Sequence, residues 1–283
     1  MQRIRLLDGF GAYLTNWERR DKVSHYASNS GACVRKMYWD WRGEKKSNPP
    51  DAGAVLKMRF GNAAELIFEK YLDSLVSTES FINEYAVKSC DKQVKWKVPV
   101  EGLQYPVACV LDFVLELVCD RGTIQLGIEL KSMYGAGIAY IQRTGEPKPD
   151  YLGQIKVYTT LTPIKVFSHP YLGRDNGYMT EFLLRDHPAG LESDAGRVYA
   201  ITTDTVFDKF RTVEEHLNSG ILPERDYLVA IKDGQIRDEF QKDKIKYKSD
   251  WQCGYCDYRD LCWKEECNTY RNSSNVDMFQ ARK

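Results

Sequence analysis

The stretch VLDFVLELVCDRGTIQLGIELKS, residues 110–132, consists of two β-rich runs separated by turn residues. Asp112 lies between apolar residues of the first run, and Glu129 and Lys131 lie in the second. Residues i and i+2 of a β-strand point to the same face, so Glu129 and Lys131 are expected to project together. If the two strands are neighbours in a sheet, three charged side chains converge at one place.

This group of charges favours a divalent metal site. Two buried carboxylates side by side repel each other unless a cation lies between them, and Mg²⁺ and Mn²⁺ prefer oxygen ligands. A lysine beside such an ion can position water or stabilise charge on a phosphate, which suits phosphodiester hydrolysis. The alternative is a solvated pair of Glu129 and Lys131, but their apolar surroundings are unfavourable for charges that do not face a site.

The rest of the chain predicts an α/β fold. Apolar positions at helical spacing predict a helix at about 54–76, and three β-rich runs with alternation follow from about residue 82. A glycine-bearing loop at 135–150 precedes a helix at about 150–161, and the loop is long enough to favour a substrate-covering element. Two more strands and a helix that ends at Gly220 come next. A short helix is expected at 11–22.

Composition restricts the class of protein. The chain has 283 residues, with 40 Lys plus Arg and 40 Asp plus Glu, so net charge neither indicates nor excludes a polyanionic partner. We expect no membrane span, because no run of about eighteen apolar residues is present. The first residues have no secretory hydrophobic core with a cleavage site, which predicts a cytoplasmic protein with reduced thiols.

Four of the eight cysteines lie within residues 253–267. Cys253, Cys256 and Cys262 follow the spacing C-x2-C-x5-C, and Cys267 comes five residues later. In a reducing compartment this pattern favours metal or redox chemistry over a disulfide. Local completion by Cys267 would give a closed zinc site, whereas a ligand from elsewhere would allow an iron–sulfur cluster.

Four elements together resemble the PD-(D/E)XK nuclease superfamily in its RecB-like branch. They are GNAAE at 61–65, LDF with Asp112, ELK with Glu129 and Lys131, and QIKVY with Gln154 and Tyr158. The resemblance implies a restriction-endonuclease-like core, a mixed central sheet flanked by helices, that cuts DNA with Mg²⁺ or Mn²⁺. Asp112 and Glu129 would ligate the metal, and Lys131 would be the catalytic lysine. Gln154 and Tyr158 would bind the DNA backbone or order the site.

The first element departs from the family pattern. Many relatives have a histidine where this chain has Glu65, the last residue of GNAAE. A glutamate can ligate the same ion, so Glu65 is the expected third metal ligand beside Asp112 and Glu129. Glu69 lies four residues further on the same helical face and is an alternative ligand or a solvated residue.

The cysteines resemble an iron–sulfur subset of this branch, which includes the CRISPR-associated adaptation nuclease, the AddB-type subunit and exonuclease V. These proteins have one N-terminal cysteine and a C-terminal C-x2-C-x5-C. The resemblance implies a 4Fe–4S cluster on Cys33, Cys253, Cys256 and Cys262, and it leaves Cys267 surplus. The cluster would act as a clasp that joins the N-terminal helices to the C-terminal region.

Other residues are weaker candidates for a functional role, because ordinary solvation or packing explains them equally well. Basic residues that could line a DNA path or simply be solvated are Arg35, Lys36, Arg59 and Arg143. Aromatic residues that could stack on single-stranded bases or pack around the cluster are Tyr38, Trp39 and Trp41. Cysteines expected in the core are Cys90, Cys109 and Cys119. The four histidines show no ligand spacing and receive no role.

These patterns predict a metal-dependent DNA nuclease, more an exonuclease on single-stranded DNA or duplex ends than an endonuclease. It would act in recombination, repair or phage or CRISPR DNA processing, with a helicase, recombinase or integrase as a separate partner. The alternative is a catalytically silent DNA-binding or scaffold subunit with the same fold and cluster. The expected organisation is one nuclease domain over 1–267, with a clasp of 24–50 and 250–267, a core of 54–220 and a flexible tail of 268–283.

Overall fold

The computed structural model describes residues 13–15, 21–242 and 245–269, with side chains for all of these except 240–247 and 269. The described residues form two compact units: unit 2 contains 23–31 and 56–211, and unit 1 contains the rest. The single domain expected over 1–267 stays a prediction. Most of the helix expected at 11–22 and nearly all of the tail expected at 268–283 lie outside the described residues.

A mixed β-sheet, flanked by helices, forms the centre of unit 2. Its strands in chain order are β1 His25–Tyr26, β2 Phe81–Ile82, β3 Tyr85–Val98, β4 Val107–Cys119, β5 Gly122–Ile128, β6 Lys131–Met133, β7 Val166–Gly173, β8 Met179–His187, β9 Gly190–Ser193 and β10 Val198–Tyr199. The order across the sheet is β10-β9-β8-β7-β5-β4-β3-β2, with β1 paired to β4 and β6 paired to β7. The fold is therefore a mixed α/β fold, as the sequence predicts.

The three predicted strands form an antiparallel meander of β3, β4 and β5, but the third is interrupted. Phe113 of β4 pairs with Ile128, the last residue of β5. The chain then leaves regular pairing at Glu129 and Leu130, and β6 starts at Lys131 beside β7. The prediction that Glu129 and Lys131 lie in one strand is therefore wrong. The reason is that the main chain at this point bonds to a side chain of β4 and to β7, as described for the site.

Helices of unit 2 cover the sheet. Their bounds are α2 Ala52–Ser77, α3 Ala136–Thr144, α4 Pro149–Leu161 and α5 Thr203–Ser219, of which α2 and α5 each continue into unit 1. On α2, Phe68, Leu72 and Leu75 pack on a cluster that contains Phe113 and Leu115 of β4. Complete burial of such a side chain contributes about 1.5–3 kcal/mol. The predicted helices near 54–76 and 150–161 are confirmed. Among the described residues, no helix is long and apolar enough to span a membrane.

The long loop predicted at 135–150 is wrong, because most of it forms α3. Ile138 and Ile141 lie on one face of this helix and are buried with Met133 and Tyr171. Glycine is common where a helix begins or ends, and Gly145 follows α3 in the left-handed conformation with φ of 65°. Gly135 and Gly145 therefore mark the two ends of this short helix, and Pro149 begins α4.

Unit 1 contains small elements from both ends of the chain. They are α1 Val34–Arg42, the hairpin β11 Ala230–Lys232 with β12 Gln235–Arg237, the hairpin β13 Glu239–Lys242 with β14 Ile245–Lys248, and the helices α6 Trp251–Gly254, α7 Arg259–Cys262 and α8 Lys264–Thr269. Trp263 is buried with Val229 and Ile231, and Tyr258 is buried with Tyr38 and Trp39. The two hairpins are elements that the sequence does not predict.

Candidate active site

Asp112 lies in the middle of β4. Its carboxylate binds the main chain at the break between β5 and β6, where a strand would otherwise supply the hydrogen-bond acceptor. Oδ2 of Asp112 accepts a hydrogen bond of 2.9 Å from the main-chain N–H of Leu130. Burial and then the charge of Glu129 raise the pKa of Asp112 to about 7, although Lys131 and the Leu130 N–H oppose this rise. A carboxyl with so high a pKa is poorly stabilised as an anion by the protein alone.

Glu129 is 3% exposed and has one satisfied and one unsatisfied carboxylate oxygen. Oε1 accepts from Nζ of Lys131 at 2.5 Å and from Nε2 of Gln154 at 2.8 Å. Oε2 is buried and has no hydrogen-bond partner among the described residues. Burial raises the pKa of Glu129, and the charge and hydrogen bond of Lys131 oppose the rise. The free oxygen is an available ligand for a cation.

Lys131 is held between an acid, an amide and an aromatic ring. Its Nζ also donates to Oε1 of Gln154 at 3.3 Å and lies 4.8 Å from the ring centroid of Tyr151. Burial acts to lower the pKa of Lys131, but the charge and hydrogen bond of Glu129 outweigh it and the pKa is raised. The side chain is therefore a fixed ammonium group next to the carboxylates, and Tyr151 is a neighbour that the sequence does not indicate.

Gln154 and Tyr158 lie one turn apart on α4 and are both buried. Nε2 of Gln154 donates to Oη of Tyr158 at 2.6 Å, and that hydroxyl donates to the main-chain oxygen of Val110 at 2.6 Å. This chain of hydrogen bonds connects the Glu129 carboxylate to β4, two residues before Asp112. Of the two roles that the resemblance implies, this burial favours ordering of the site over contact with a DNA backbone.

His169 holds the main chain of the site at Glu129, although the sequence analysis assigns this histidine no role. Nδ1 of His169 lies 2.7 Å from the main-chain oxygen of Glu129, and Glu129 N donates to Ser168 O at 3.1 Å. The parallel pairing of β5 with β7 places Ile128 beside Ser168 and creates this contact. The only sequence signal for His169 is a polar residue within a run of apolar ones. Its contact with Glu129 depends on the pairing of β5 with β7, which the sequence does not specify.

The expected third ligand, Glu65, lies on α2 and is half-buried. Its Oε1 accepts from Nε2 of Gln93 at 2.8 Å, and its charge contributes to the raised pKa of Asp112. The structure therefore places Glu65 near Asp112 without a direct hydrogen bond between them. The alternative residue, Glu69, forms an ion pair with Lys92 at 2.8 Å, and the same ammonium group also pairs with Asp73 at 2.9 Å. The Glu69 carboxylate therefore already has a cationic partner.

A hard cation fits these donors on chemical grounds. Asp112 and Glu129 are two carboxylates whose pKa values are both raised by burial, and Oε2 of Glu129 lacks a partner among described residues. A bound divalent ion would favour the charged form of both groups. Within the described ranges, no three His, Cys, Asp or Glu side chains are grouped so as to hold a metal ion, so the ligand set stays a prediction.

The four cysteines of the predicted cluster all belong to unit 1. Burial raises the pKa of Cys253 to about 12, and the next contributions come from Cys262, Cys256 and Cys33. Burial likewise raises the pKa of Cys33, which immediately precedes α1, to about 11. The four thiols lie close enough to influence one another, but among the residues that the structure describes no three of them are grouped so as to hold a metal ion. The 4Fe–4S cluster on these cysteines therefore stays a prediction.

Several weaker candidates have partners within unit 1 instead of a free surface. Nε of Arg35 donates to the oxygen of Pro223 at 2.6 Å, and its Nη1 lies 3.7 Å from Sγ of Cys262. Lys36 forms an ion pair with Asp40 at 2.8 Å. The aromatic residues Tyr38 and Trp39 are buried, which excludes base stacking by these two rings in this conformation. Trp41 is half-buried.

In unit 2, Arg59 and Arg143 are exposed, which agrees both with a DNA path and with simple solvation. The prediction that three isolated cysteines lie in the core is right for Cys109, which is fully buried. It is wrong for Cys90 and Cys119, which are only half-buried because they lie where β3 and β4 are partly open to solvent.

Known proteins give limited similarity to this chain. No protein-family model matches it, and no curated protein matches it in sequence. One solved structure, the crystal structure of SSO0001, is 13% identical, with a TM-score of 0.49 over 91% of this chain and 93% of that chain. Another is an exonuclease. The alkaline exonuclease LHK-Exo from Laribacter hongkongensis is 13% identical, with a TM-score of 0.40 over 76% of this chain and 94% of that chain.

The same exonuclease in complex with dAMP has a TM-score of 0.41 and 14% identity, with the same shares of the two chains covered. These scores and identities are low, and none of the three likenesses assigns a role to a residue of this chain.

Proposed function

We propose that this chain is a metal-dependent nuclease that hydrolyses phosphodiester bonds of DNA at the group formed by Asp112, Glu129 and Lys131. The observation that carries the proposal is the buried Oε2 of Glu129, which has no partner among the described residues and belongs to a site with a second carboxylate of raised pKa. A buried unsatisfied oxygen is costly unless a ligand completes it. Mg²⁺ or Mn²⁺ is the ligand that two carboxylates best accommodate.

The residues would divide the work as follows. Asp112 and Glu129 would hold the ion, and Glu65 would join them if its carboxylate exchanged Gln93 for the ion. The ion would polarise the phosphate and lower the pKa of attacking water. Lys131 supplies a fixed positive charge to the phosphate, while Gln154 and Tyr158 hold the Glu129 carboxylate in place.

For the cysteines we propose a 4Fe–4S cluster held by Cys33, Cys253, Cys256 and Cys262. Its role would be structural, because it would link positions that are far apart in sequence and so restrict the unfolded chain. Arg35 supports the assignment, since its guanidinium lies 3.7 Å from Sγ of Cys262 and would stabilise a thiolate there. Cys267 would lie outside the ligand set.

The substrate form and setting are also proposals. The preferred activity is that of an exonuclease on single-stranded DNA or duplex ends, in recombination, repair or phage or CRISPR DNA processing in the cytoplasm. A helicase, recombinase or integrase would be a separate polypeptide partner. These assignments depend on the resemblance of the four sequence elements to RecB-like nucleases, and the geometry of the site supports only the shared chemistry.

The test is cleavage of DNA labelled at the 5′ or the 3′ end, with Mg²⁺, with Mn²⁺ and with a chelator. Lys131→Met and Glu129→Gln keep side-chain size and remove the charge, and both are expected to reduce cleavage at least about 100-fold. Lys97→Met, an exposed lysine on β3, is the matched control. Cleavage that survives Lys131→Met or the chelator would contradict the proposal, and the labelled ends report the direction of cutting.

A further inference from the structure

Arg174 lies directly after β7 and is fixed at the end of β6 by three contacts. Its main-chain N–H donates to the oxygen of Met133 at 2.9 Å. Its guanidinium lies 4.1 Å from the ring centroid of Tyr134, and Nη1 donates to the main-chain oxygen of Lys57 on α2. The charged group therefore has a defined position in unit 2, although it lies on a connection between strands.

This position is adjacent to a sequence element of the candidate nuclease site. A Cβ at Gly61, the first residue of GNAAE, would lie 3.5 Å from Nη1 of Arg174 and 3.4 Å from Oγ of Ser132. Ser132 follows Lys131 in β6. The three residue steps from Lys131 to Tyr134 span about 10 Å at about 3.3 Å per residue, so Arg174 lies within a short distance of the proposed catalytic lysine.

The guanidinium has no acidic partner among the described residues. Four other arginines of unit 2 are paired with carboxylates, namely Arg121 with Glu84, Arg185 with Glu192, Arg197 with Glu146 and Arg211 with Asp208. Arg59 and Arg143 also form no ion pair within the described residues, but both are exposed, whereas Arg174 is half-buried and fixed by its contacts. The neighbouring carboxylate of Asp175 is used by the N–H of Gly135 at 2.9 Å. Nε of Arg174 is buried without an acceptor in the described part of the chain. Such a group, positioned but unpaired, is suited to an external anion.

The surface beside it has the character of a nucleic-acid contact. Residues 57–60 of α2, with the sequence KMRF, are all exposed, and Phe60 is 49% exposed. Lys57 and Phe60 are three positions apart on the helix and share a face, so they present one positive charge and one aromatic ring next to the carbonyl that holds Arg174. Arg59, two positions from Lys57, points away from this face. Strand-binding proteins combine positive charge along the backbone with aromatic rings that stack on bases. A free small anion would use the arginine but not the exposed phenylalanine.

We propose that Arg174 binds a backbone phosphate of the substrate strand, next to the phosphate that is cleaved, and that Lys57 and Phe60 extend this contact along α2. The inference rests on the proposed nuclease function for the identity of the strand. Arg174 is then a substrate-binding residue that positions the DNA and takes no part in proton transfer.

The experiment compares Arg174→Gln, Arg174→Lys and Arg121→Gln in the full chain. Arg121 is a suitable control because it is ion-paired at the β4–β5 turn, beyond Cys119, which lies about 23 Å from Asp112 at roughly 3.3 Å per residue of strand. Binding of a labelled single-stranded oligonucleotide is measured as a function of salt in a Lys131→Met background, where the strand stays intact. Cleavage kinetics are measured with Lys131 present, and thermal unfolding checks that each variant is folded.

We expect Arg174→Gln to weaken binding about tenfold and to reduce the slope of log K against log salt by about 0.7, the value for one phosphate on a single strand. KM should rise while kcat changes little, and Arg174→Lys should restore the salt slope. If Arg174→Gln is folded and binds like Arg121→Gln, the inference is overturned while the nuclease proposal stands. Binding that depends on Arg174 without any cleavage by the wild type would instead reject the nuclease proposal alone. A wild type that neither binds nor cuts DNA would remove both.

Discussion

The ring of His169 holds the main chain of Glu129, with Nδ1 2.7 Å from the Glu129 carbonyl oxygen. A carbonyl oxygen only accepts, so Nδ1 carries the proton and Nε2 accepts from the hydroxyl of Tyr171 at 2.5 Å. Burial lowers the pKa of His169 to about 3, which keeps the ring neutral at neutral pH. The residue that begins ELK is therefore held at its carboxylate by α4 and at its main chain by β7.

Replacement of His169 by Phe is expected to lower the free energy of unfolding by about 1–3 kcal/mol, because it leaves the buried Glu129 carbonyl without a donor. The carboxylate would lose part of its support, so kcat of DNA cleavage should fall as well. Denaturant unfolding and steady-state kinetics measure the two effects. His187→Phe, at the end of β8, is the control, and equal behaviour of the two variants would argue against a specific role of His169.

Tyr158→Phe separates the two roles that the sequence leaves open for this residue. It removes the hydroxyl that accepts from Gln154 and donates to Val110 O, and it retains the ring that stacks on Phe167. We expect kcat to fall about tenfold with KM unchanged, since the hydroxyl orders the site and is buried. Tyr71→Phe, on an exposed part of α2, should have no effect. A rise in KM alone would indicate contact with the DNA backbone instead.

The sequence predicts the helices and the meander because their patterns are local. Phe68, Leu72 and Leu75 recur at helical spacing, and the near-continuous apolar run of β4 specifies a strand that is largely buried on both sides. The predicted grouping of Asp112, Glu129 and Lys131 assumes that consecutive β-runs pair, which is right for β4 and β5, and that Glu129 and Lys131 share a strand, which is wrong. Contacts across the sheet are different, since the pairing of β5 with β7 depends on long-range packing. His169 and Arg174 are contributed by β7 and the residue after it, and neither could be selected from local pattern.

Gly127, two residues before Glu129, is expected to be intolerant of any side chain. A Cβ at this position would lie 2.4 Å from a ring carbon of Phe167 on the neighbouring strand β7. Gly127→Ala should therefore force β5 and β7 apart or displace the buried ring, at a cost of about 1–3 kcal/mol. Gly137→Ala, inside α3, meets only the flexible side chain of Met133 and is the matched control. Unfolding midpoints of the two variants that agree would contradict this packing argument.

The cysteine assignment predicts a difference between neighbouring thiols. Serine at Cys33, Cys253, Cys256 or Cys262 should abolish bound iron and the broad absorption near 400 nm that an iron–sulfur cluster gives to a brown protein, whereas Cys267→Ser should retain both. Iron and zinc analysis of anaerobically purified protein measures this directly. Stoichiometric zinc in a colourless protein, lost on Cys267→Ser, would favour the closed zinc site.

Arg35→Gln tests whether a positive charge beside Cys262 affects the proposed cluster. The variant removes the guanidinium 3.7 Å from Sγ of Cys262 and leaves all thiols in place. If a cluster is bound, loss of this positive charge should lower its reduction potential and speed its loss in air. The potential and the decay of absorbance are the readouts, with Arg42→Gln at the exposed end of α1 as control. An unchanged potential would show that Arg35 serves only the Pro223 contact.

The division of the chain into units has a consequence for its synthesis. Unit 2 is complete once residue 211 has been made, whereas unit 1 combines early residues with the last ones described. A ribosome adds about 5–20 residues per second, so Cys262 follows Cys33, 229 positions earlier, by roughly 10–50 seconds. All residues of unit 2, with the strand that carries Asp112, have been added 51 positions before Cys262, so its sheet can begin to fold on the nascent chain before the last cysteine is made. For the four-cysteine site that we propose, loading would thus be a late event in maturation, and failure to load would leave unit 2 already formed.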